Sequence, residues 1–346
     1  MNKSLDEKYM KSCLELALKG KGKVSPNPMV GCVVLDKNGN IVSKGYHKKY
    51  GENHAERDAL LKLKNNEAEG GTLYVNLEPC SHYGKTPPCT DIIVEHKLKR
   101  VVFGMKDPNP GVNGAAVLKN AGIEITEGVL EKEARFLNRI FIKNMTQKLP
   151  YVVLKTATTM DGKIASKTGD SKWITSSKAR EEVYKMRKEF DCIMTSSNTV
   201  IADNPKMEHR GKCILDKDCR IPTDSKILEQ GKIYIANKNN TPLKNGQLDV
   251  FEVLKELYKK GIRSVFVECG GTLAGYLLKE NLIDEIYQFI APKILNDNEG
   301  MSCFNGNKAM KINESVDLEI YENRLIGSDI LIKALLKTSE NELYRK

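Results

Sequence analysis

The tightest constraint on this 346-residue chain is a trio of side chains: His54 in the run His54-Ala55-Glu56, Cys80 after Pro79, and Cys89 after Pro88. One imidazole and two thiols form a set of zinc donors. Three protein ligands leave the fourth tetrahedral position to water, which the metal acidifies toward neutral pH. Two thiolates largely neutralise the metal and weaken that effect, so a carboxylate must help move the proton, and Glu56 stands two residues from His54.

The order His-x-Glu, then Pro-Cys and a second Cys, is the ligand order of the zinc deaminases, in which the Glu is acid and base and not a ligand. Here eight residues, 81–88, separate the two cysteines instead of two. They are expected to loop out before a helix that starts near Cys89. His54 should also open a helix, so both ligands sit where helix dipoles and free N–H groups favour a thiolate and a rigid site. Taken singly, a Cys is more often a buried apolar side chain and His-x-Glu arises by chance; taken together, they select zinc. Gly84-Lys85-Thr86 imitates the end of a phosphate loop, but Pro79 occupies the place of its first glycine, which excludes that motif. His209, Cys213 and Cys219 are irregularly spaced and are read as loop and core residues.

Nine cysteines, an odd number scattered through the chain, do not make a disulfide framework. With no apolar run long enough for a secretory signal or a membrane span, the chain is expected in the cytoplasm, away from membranes. A net charge of +10 suits nucleic acid or anionic small substrates alike, but the lysines are interleaved with 45 acids, as on a solvated surface. Aromatic residues make up only 6%, and no basic run is interleaved with stacking side chains, so no nucleic-acid partner is expected.

Hydrophobic periodicity predicts helices over residues 7–19, 54–64, 90–96 and 115–120, and strands over 30–35, 41–45, 72–77 and 100–104. Residues 141–149 read as a polar bridge before Pro150, which sets a domain boundary at 147/148. The second half repeats the pattern, with strands at 151–155, 191–195, 232–236, 264–268, 285–290 and 328–334, and helices at 178–188, 253–260 and 273–279. Both halves are α/β.

Several segments together resemble one family: Pro26-Asn27-Pro28-Met29-Val30-Gly31, Gly45-Tyr46-His47, His54-Ala55-Glu56 and the long loop from Glu78 through Cys89. The likeness runs on through Asp107-Pro108-Asn109-Pro110, Lys155, Asp161-Gly162-Lys163, Ser171-Lys172-Trp173, Ala202-Asp203-Asn204-Pro205 and Glu268-Cys269-Gly270-Gly271. The chain thus resembles the bifunctional riboflavin-biosynthesis deaminase/reductases. The resemblance implies a cytidine-deaminase-like three-layer α/β/α domain over residues 1–147 and a dihydrofolate-reductase-like α/β domain over 148–346. It implies hydrolytic deamination of 2,5-diamino-6-ribosylamino-pyrimidinone 5′-phosphate, then reduction of its ribosyl chain to ribityl by NADPH, in a homo-oligomer.

Carried over residue by residue, the resemblance makes His54, Cys80 and Cys89 the Zn2+ ligands and Glu56 the proton shuttle. Asn27, His47, His82 and Lys85 are candidates for holding ring or phosphate, or for bracing loops. It makes Ala157, Trp173, Thr199, Asp203 and the run Gly270, Gly271, Thr272, Leu273 and Ala274 cofactor contacts. Lys155, Ser171, Arg187, Met207, Arg210 and Glu268 become substrate contacts. The residues themselves leave other readings open: a glycine pair after a strand is also a tight turn, and a lone Trp173 also a core residue. Residues 205–210 depart from the family's pattern, which puts Arg210 in question. The rival reading is a single-function zinc deaminase of nucleosides or tRNA with a non-catalytic C-terminal domain.

Overall fold

The computed structural model describes residues 3–64, 66–84, 86–306 and 311–337. These fall into two compact units that divide between Gln147 and Lys148.

In the first unit, α1 (Lys3–Leu18) precedes the hairpin β1 (Gly31–Leu35) and β2 (Ile41–Tyr46), then α2 (Ala55–Leu60), β3 (Thr72–Leu77), α3 (Cys89–Glu95), β4 (Arg100–Met105), α4 (Gly114–Asn120), β5 (Glu124–Glu127), α5 (Glu131–Leu137) and α6 (Arg139–Gln147). The strands form one sheet in the order β2-β1-β3-β4-β5. Helices α1 and α5 pack on one face and α2 on the other, giving three layers. Alternation along β1 serves both faces: Val33 and Leu35 join Tyr9, Met10 and Cys13 of α1, while Cys32 and Val34 turn the other way.

One position on this sheet places the zinc donors. A Cβ on Gly45 of β2 would stand 2.3 Å from the Ala55 carbonyl oxygen and 2.5 Å from the Ala59 nitrogen. The missing side chain therefore lets the first turn of α2, with His54 just ahead of it, lie directly on the sheet.

The unit is pinned by a buried ion pair. Arg100 Nη1 and Nη2 donate to the two Asp6 carboxylate oxygens at 2.9 and 2.8 Å, the Tyr74 hydroxyl donates to Asp6 at 2.7 Å, and Arg100 Nη2 also reaches Thr126 at 2.7 Å. Removing one partner strands the other charge. Arg100→Met is therefore expected to cost on the order of 3 kcal/mol in denaturant unfolding. The sign of the pH dependence should also invert. In the unmodified protein the Arg100 guanidinium holds the Asp6 carboxyl below its ordinary range, so this stability is present above the unfolded pKa and lost as pH falls through the folded one. Without Arg100 the buried carboxyl titrates high, and the variant should gain stability as pH drops from 7 toward 5.

The second unit contains β6 (Tyr151–Thr159), β7 (Lys163–Ala165), α7 (Ser177–Arg187), β8 (Cys192–Ser196), α8 (Ser197–Asp203), β9 (Gly211–Leu215), β10 (Lys232–Ala236), β11 (Leu243–Lys244), β12 (Gln247–Leu248), α9 (Val250–Lys259), β13 (Ser264–Glu268), α10 (Gly271–Lys279), β14 (Glu285–Ala291), β15 (Met301–Ser302), β16 (Leu318–Ile326) and β17 (Asp329–Leu336). Its main sheet runs β10-β9-β8-β13-β6-β14-β17-β16. The central strands β8, β13, β6 and β14 are parallel neighbours. Residues Val152, Leu154, Val265 and Val267 face a core shared with Val253, Leu254, Ala274 and Leu277 of α9 and α10. Phe266, on the opposite face, packs against the Phe190 ring and meets that of Tyr287 edge-on.

The bridge expected at 141–149 is instead mostly helix α6. Its Lys143 and Asn144 are buried beside Ile142, so the polarity that suggests a linker belongs to a packed face. The helix expected to reach residue 64 stops at Leu60, and β5, β9 and β16 lie outside the expected strands.

Candidate functional site

His54 is the N-cap of α2, and Cys89 is the first residue of α3. His54 Nδ1 lies 3.5 Å from each of the Cys80 and Cys89 sulfurs, and the three donor atoms all fall within 4.8 Å of one another. A tetrahedral zinc with bonds of about 2.3 Å to sulfur and 2.0–2.1 Å to nitrogen would hold N and S roughly 3.6 Å apart. The donor set and its spacing therefore fit zinc, and among the described residues this is the one such grouping of His, Cys and acidic side chains.

The local electrostatics agree. The Cys89 backbone N–H donates to the Cys80 sulfur at 3.3 Å. Hydrogen bonds from Cys89 and then His54 pull the Cys80 thiol well below its ordinary range, while the bond to Cys80 and burial push the Cys89 thiol up. Glu56 is buried, and burial, helped by the Cys80 charge, pushes its carboxyl up to about 7. A carboxyl that both takes and gives a proton near neutrality is what acid–base catalysis needs. Beside it, buried His47 bonds the Asn53 carbonyl oxygen through Nδ1 at 3.0 Å and Asn27 Nδ2 through Nε2 at 3.1 Å. The His47 ring meets that of His54 edge-on at 5.5 Å. Lys85 lies outside the described residues.

Sequence reasoning passed over the supports of this site. Asn76 accepts from the Gly31 N–H and donates to the Met29 carbonyl, while Asn138 bonds the Met29 backbone in both directions. Glu78 takes the Asp107 and Ala115 N–H groups, anchoring the 107–115 loop. A carboxylate directly before Pro79-Cys80 was the available signal.

In the second unit, three expected substrate contacts come together. Arg187 Nε and Nη2 donate to the Glu268 carboxylate at 2.5 and 3.0 Å, and Lys155 Nζ lies 3.8 Å away. Lys155 and Glu268 are register partners on β6 and β13. Burial alone would raise the Glu268 carboxyl, but the Arg187 and Lys155 charges outweigh it and hold it low. Burial lowers Lys155. Ala157 follows on the same face of β6, and Ser171 is half-buried.

Two of the expected substrate contacts are not brought to this group. Met207, in the left-handed conformation at φ 40°, packs in a core cluster with Ile193, Val200, Ile214 and Ile227. Arg210 Nη2 bonds Asp191 at 2.8 Å, and Asp191 in turn accepts the Arg263 N–H ahead of β13. Glu268 closes that strand, five residues and roughly 16 Å of extended chain further on. His209 fixes the segment, its Nε2 donating to the Phe190 carbonyl and its Nδ1 accepting the Gly211 N–H.

Of the expected cofactor contacts, Trp173 is 63% exposed, which overturns the core reading. The Arg180 guanidinium lies 4.3 Å over its ring, and Lys293 bonds its carbonyl. Thr199 shares the cap of α8 with Ser196, at 3.2 Å between hydroxyls, and Asp203 ends that helix, exposed. Gly270 caps the nine-residue α10, with nothing within 4 Å of a Cβ placed there. A Cβ on Gly271 would strike the Ser302 carbonyl at 2.1 Å. Thr272 is exposed, Leu273 half-buried and Ala274 buried. Strand β6 runs on beyond β13, and its Thr156 and Thr158 hydroxyls are buried without partners. A helix start outside the carboxyl ends of parallel strands, with the unpaired hydroxyls of Thr156 and Thr158 on the neighbouring strand, fits a phosphate-bearing nicotinamide cofactor.

The first site is that of a zinc hydrolase of the deaminase class, and the second unit carries a nucleotide-accepting α/β edge. Residues 3–105 match the cytidine and deoxycytidylate deaminase zinc-binding region, and residues 150–332 the RibD C-terminal domain. The riboflavin biosynthesis protein RibD of Aquifex aeolicus is 42% identical, over 96% of this chain and 99% of its own length. That of Escherichia coli is 37% identical, over 94% and 98%. The solved structure of Acinetobacter baumannii RibD is 34% identical and superposes with a TM-score of 0.87, covering 97% of this chain and 100% of that one. The chain belongs to the RibD family, the bifunctional deaminase/reductases of riboflavin biosynthesis. A single-function deaminase is not favoured.

Proposed function

We propose that the chain deaminates 2,5-diamino-6-ribosylamino-pyrimidinone 5′-phosphate and then reduces the ribosyl chain of its product with NADPH. A Thermotoga maritima relative of solved structure, 35% identical over 96% of this chain, is a diaminohydroxyphosphoribosylaminopyrimidine deaminase and 5-amino-6-(5-phosphoribosylamino)uracil reductase. The observation that carries the first half is the buried Glu56 carboxyl beside three zinc donors.

His54, Cys80 and Cys89 would hold zinc, which when bound would supply an acidified water. Glu56 would take one proton from the water as its oxygen bonds to the amino-bearing ring carbon and give it to the ring nitrogen, then take the second from the hydroxyl now on that carbon and give it to the amino group as the C–N bond breaks and ammonia leaves. Asn27 and His47, bonded to each other, position the ring.

NADPH, when bound, supplies the hydride. Gly270, Gly271, Thr272, Leu273 and Ala274 would take its phosphates, with Ala157, Trp173, Thr199 and Asp203 along its length. Arg187, Lys155, Glu268 and Ser171 would hold the open sugar, and Lys155, whose grip on its proton burial weakens, would give that proton to it. We place the chain in the cytoplasm as a homo-oligomer; among the described residues no helix is long and apolar enough to cross a membrane.

With the diaminopyrimidine phosphate as sole substrate, NADPH oxidation should begin only after ammonia appears, and NADH should substitute poorly. NADPH oxidation that precedes ammonia release would reverse the order of steps, and equal use of NADH would remove the cofactor assignment.

A further inference from the structure

Thr195 lies near the end of β8 and is 1% exposed, and its hydroxyl has no hydrogen-bond partner. Strand pairing places it. Val267 of β13 is level with Met194 of β8, so one step on, Thr195 is level with Glu268, which is itself level with Lys155. Alternation decides the face: Met194 and Val267 point into the α9–α10 core, whereas Ile193 and Phe266 point the other way, and Thr195 and Glu268 follow them. Thr195, Glu268 and Lys155 therefore form one cross-strand row, with the unpaired hydroxyl on the strand next to the carboxylate.

Both Glu268 oxygens are occupied in this state, one by Arg187 Nε and the other by Arg187 Nη2 and Lys155. An anionic, polyhydroxylated ligand that engages Arg187 or Lys155 draws a donor away from Glu268, and a buried carboxylate that loses donors must find another. We infer that Thr195 is a positioning residue of the reductive site, its O–H held in reserve to donate to Glu268 once substrate has engaged Arg187 and Lys155. A buried, unpaired hydroxyl costs the resting fold, and a partner gained on substrate binding accounts for its presence in this row.

The inference rests on the reductase reading above, and the test uses the full chain. Thr195→Val keeps the shape and removes the hydroxyl; Thr195→Ser keeps the hydroxyl. For Thr195→Val the expected result is a roughly 10-fold fall in kcat/KM for the aminouracil phosphate in NADPH oxidation, the loss of one hydrogen bond. Ammonia release and the KM for NADPH should be unchanged, and Tm equal or higher. Thr195→Ser should stay within about two-fold of the unmodified chain. Unchanged reductase kinetics in Thr195→Val would overturn the inference. A lowered Tm would overturn it too, because the hydroxyl would then already be paired in the resting protein. NADPH oxidation by the unmodified chain tests the underlying reading separately.

Discussion

Replacing Glu56 by glutamine is expected to slow ammonia release by roughly 1000-fold, in the range that a positioned acid–base group contributes, while leaving zinc bound and reduction of the aminouracil phosphate intact. The donors are His54, Cys80 and Cys89, whose atoms lie within 4.8 Å of one another without help from the carboxylate. The metal content of Glu56→Gln should therefore match that of the unmodified chain. Glutamine keeps the shape and one hydrogen-bond acceptor but cannot take a proton from water. A purely structural role would instead lower metal content and stability together. Glu56 sits in the first turn of α2, so circular dichroism and metal analysis separate the two outcomes.

The second large effect concerns Glu268. Glu268→Gln is expected to lower NADPH oxidation about 100-fold without changing ammonia release, because one carboxylate organises both Arg187 and Lys155 and misplaced groups at a reacting centre cost about that much. The variant also carries a pH signature. Lys155 is already lowered by burial, opposed by the Glu268 charge. With that charge gone, the folded-state pKa falls further. The unfolded chain then binds the proton more readily than the folded one, so stability must rise as pH climbs toward the ordinary lysine pKa. Chemical denaturation between pH 7 and 10 should show a steeper gain for Glu268→Gln than for the unmodified chain; parallel curves would separate Lys155 from Glu268.

The zinc cluster was legible because His54 and Cys89 sit in short motifs at helix starts, and Cys80 in the Pro-Cys pair that follows β3, so that local sequence and tertiary position coincide. Lys155 and Glu268 were named by resemblance, but what joins them is strand register between β6 and β13, a pairing of residues more than a hundred positions apart that no local pattern carries. The same limit explains Met207 and Arg210. Their placement turns on left-handed residues at Asn204 and Met207 and on His209 bridging Phe190 and Gly211. Buried Lys143 and Asn144 concealed α6. The edge strand β16 was hidden because its exposed residues, Leu318 and Ile320 among them, lack the alternation of a half-buried strand.

The most direct test of the account is one coupled assay of the purified chain, in which ammonia and NADPH are followed together after adding the diaminopyrimidine phosphate, with and without a zinc chelator. The account predicts that chelation stops ammonia release and, with it, NADPH oxidation, and that supplying the deaminated aminouracil phosphate restores NADPH oxidation in the chelated protein. Ammonia release that survives complete removal of zinc would contradict it.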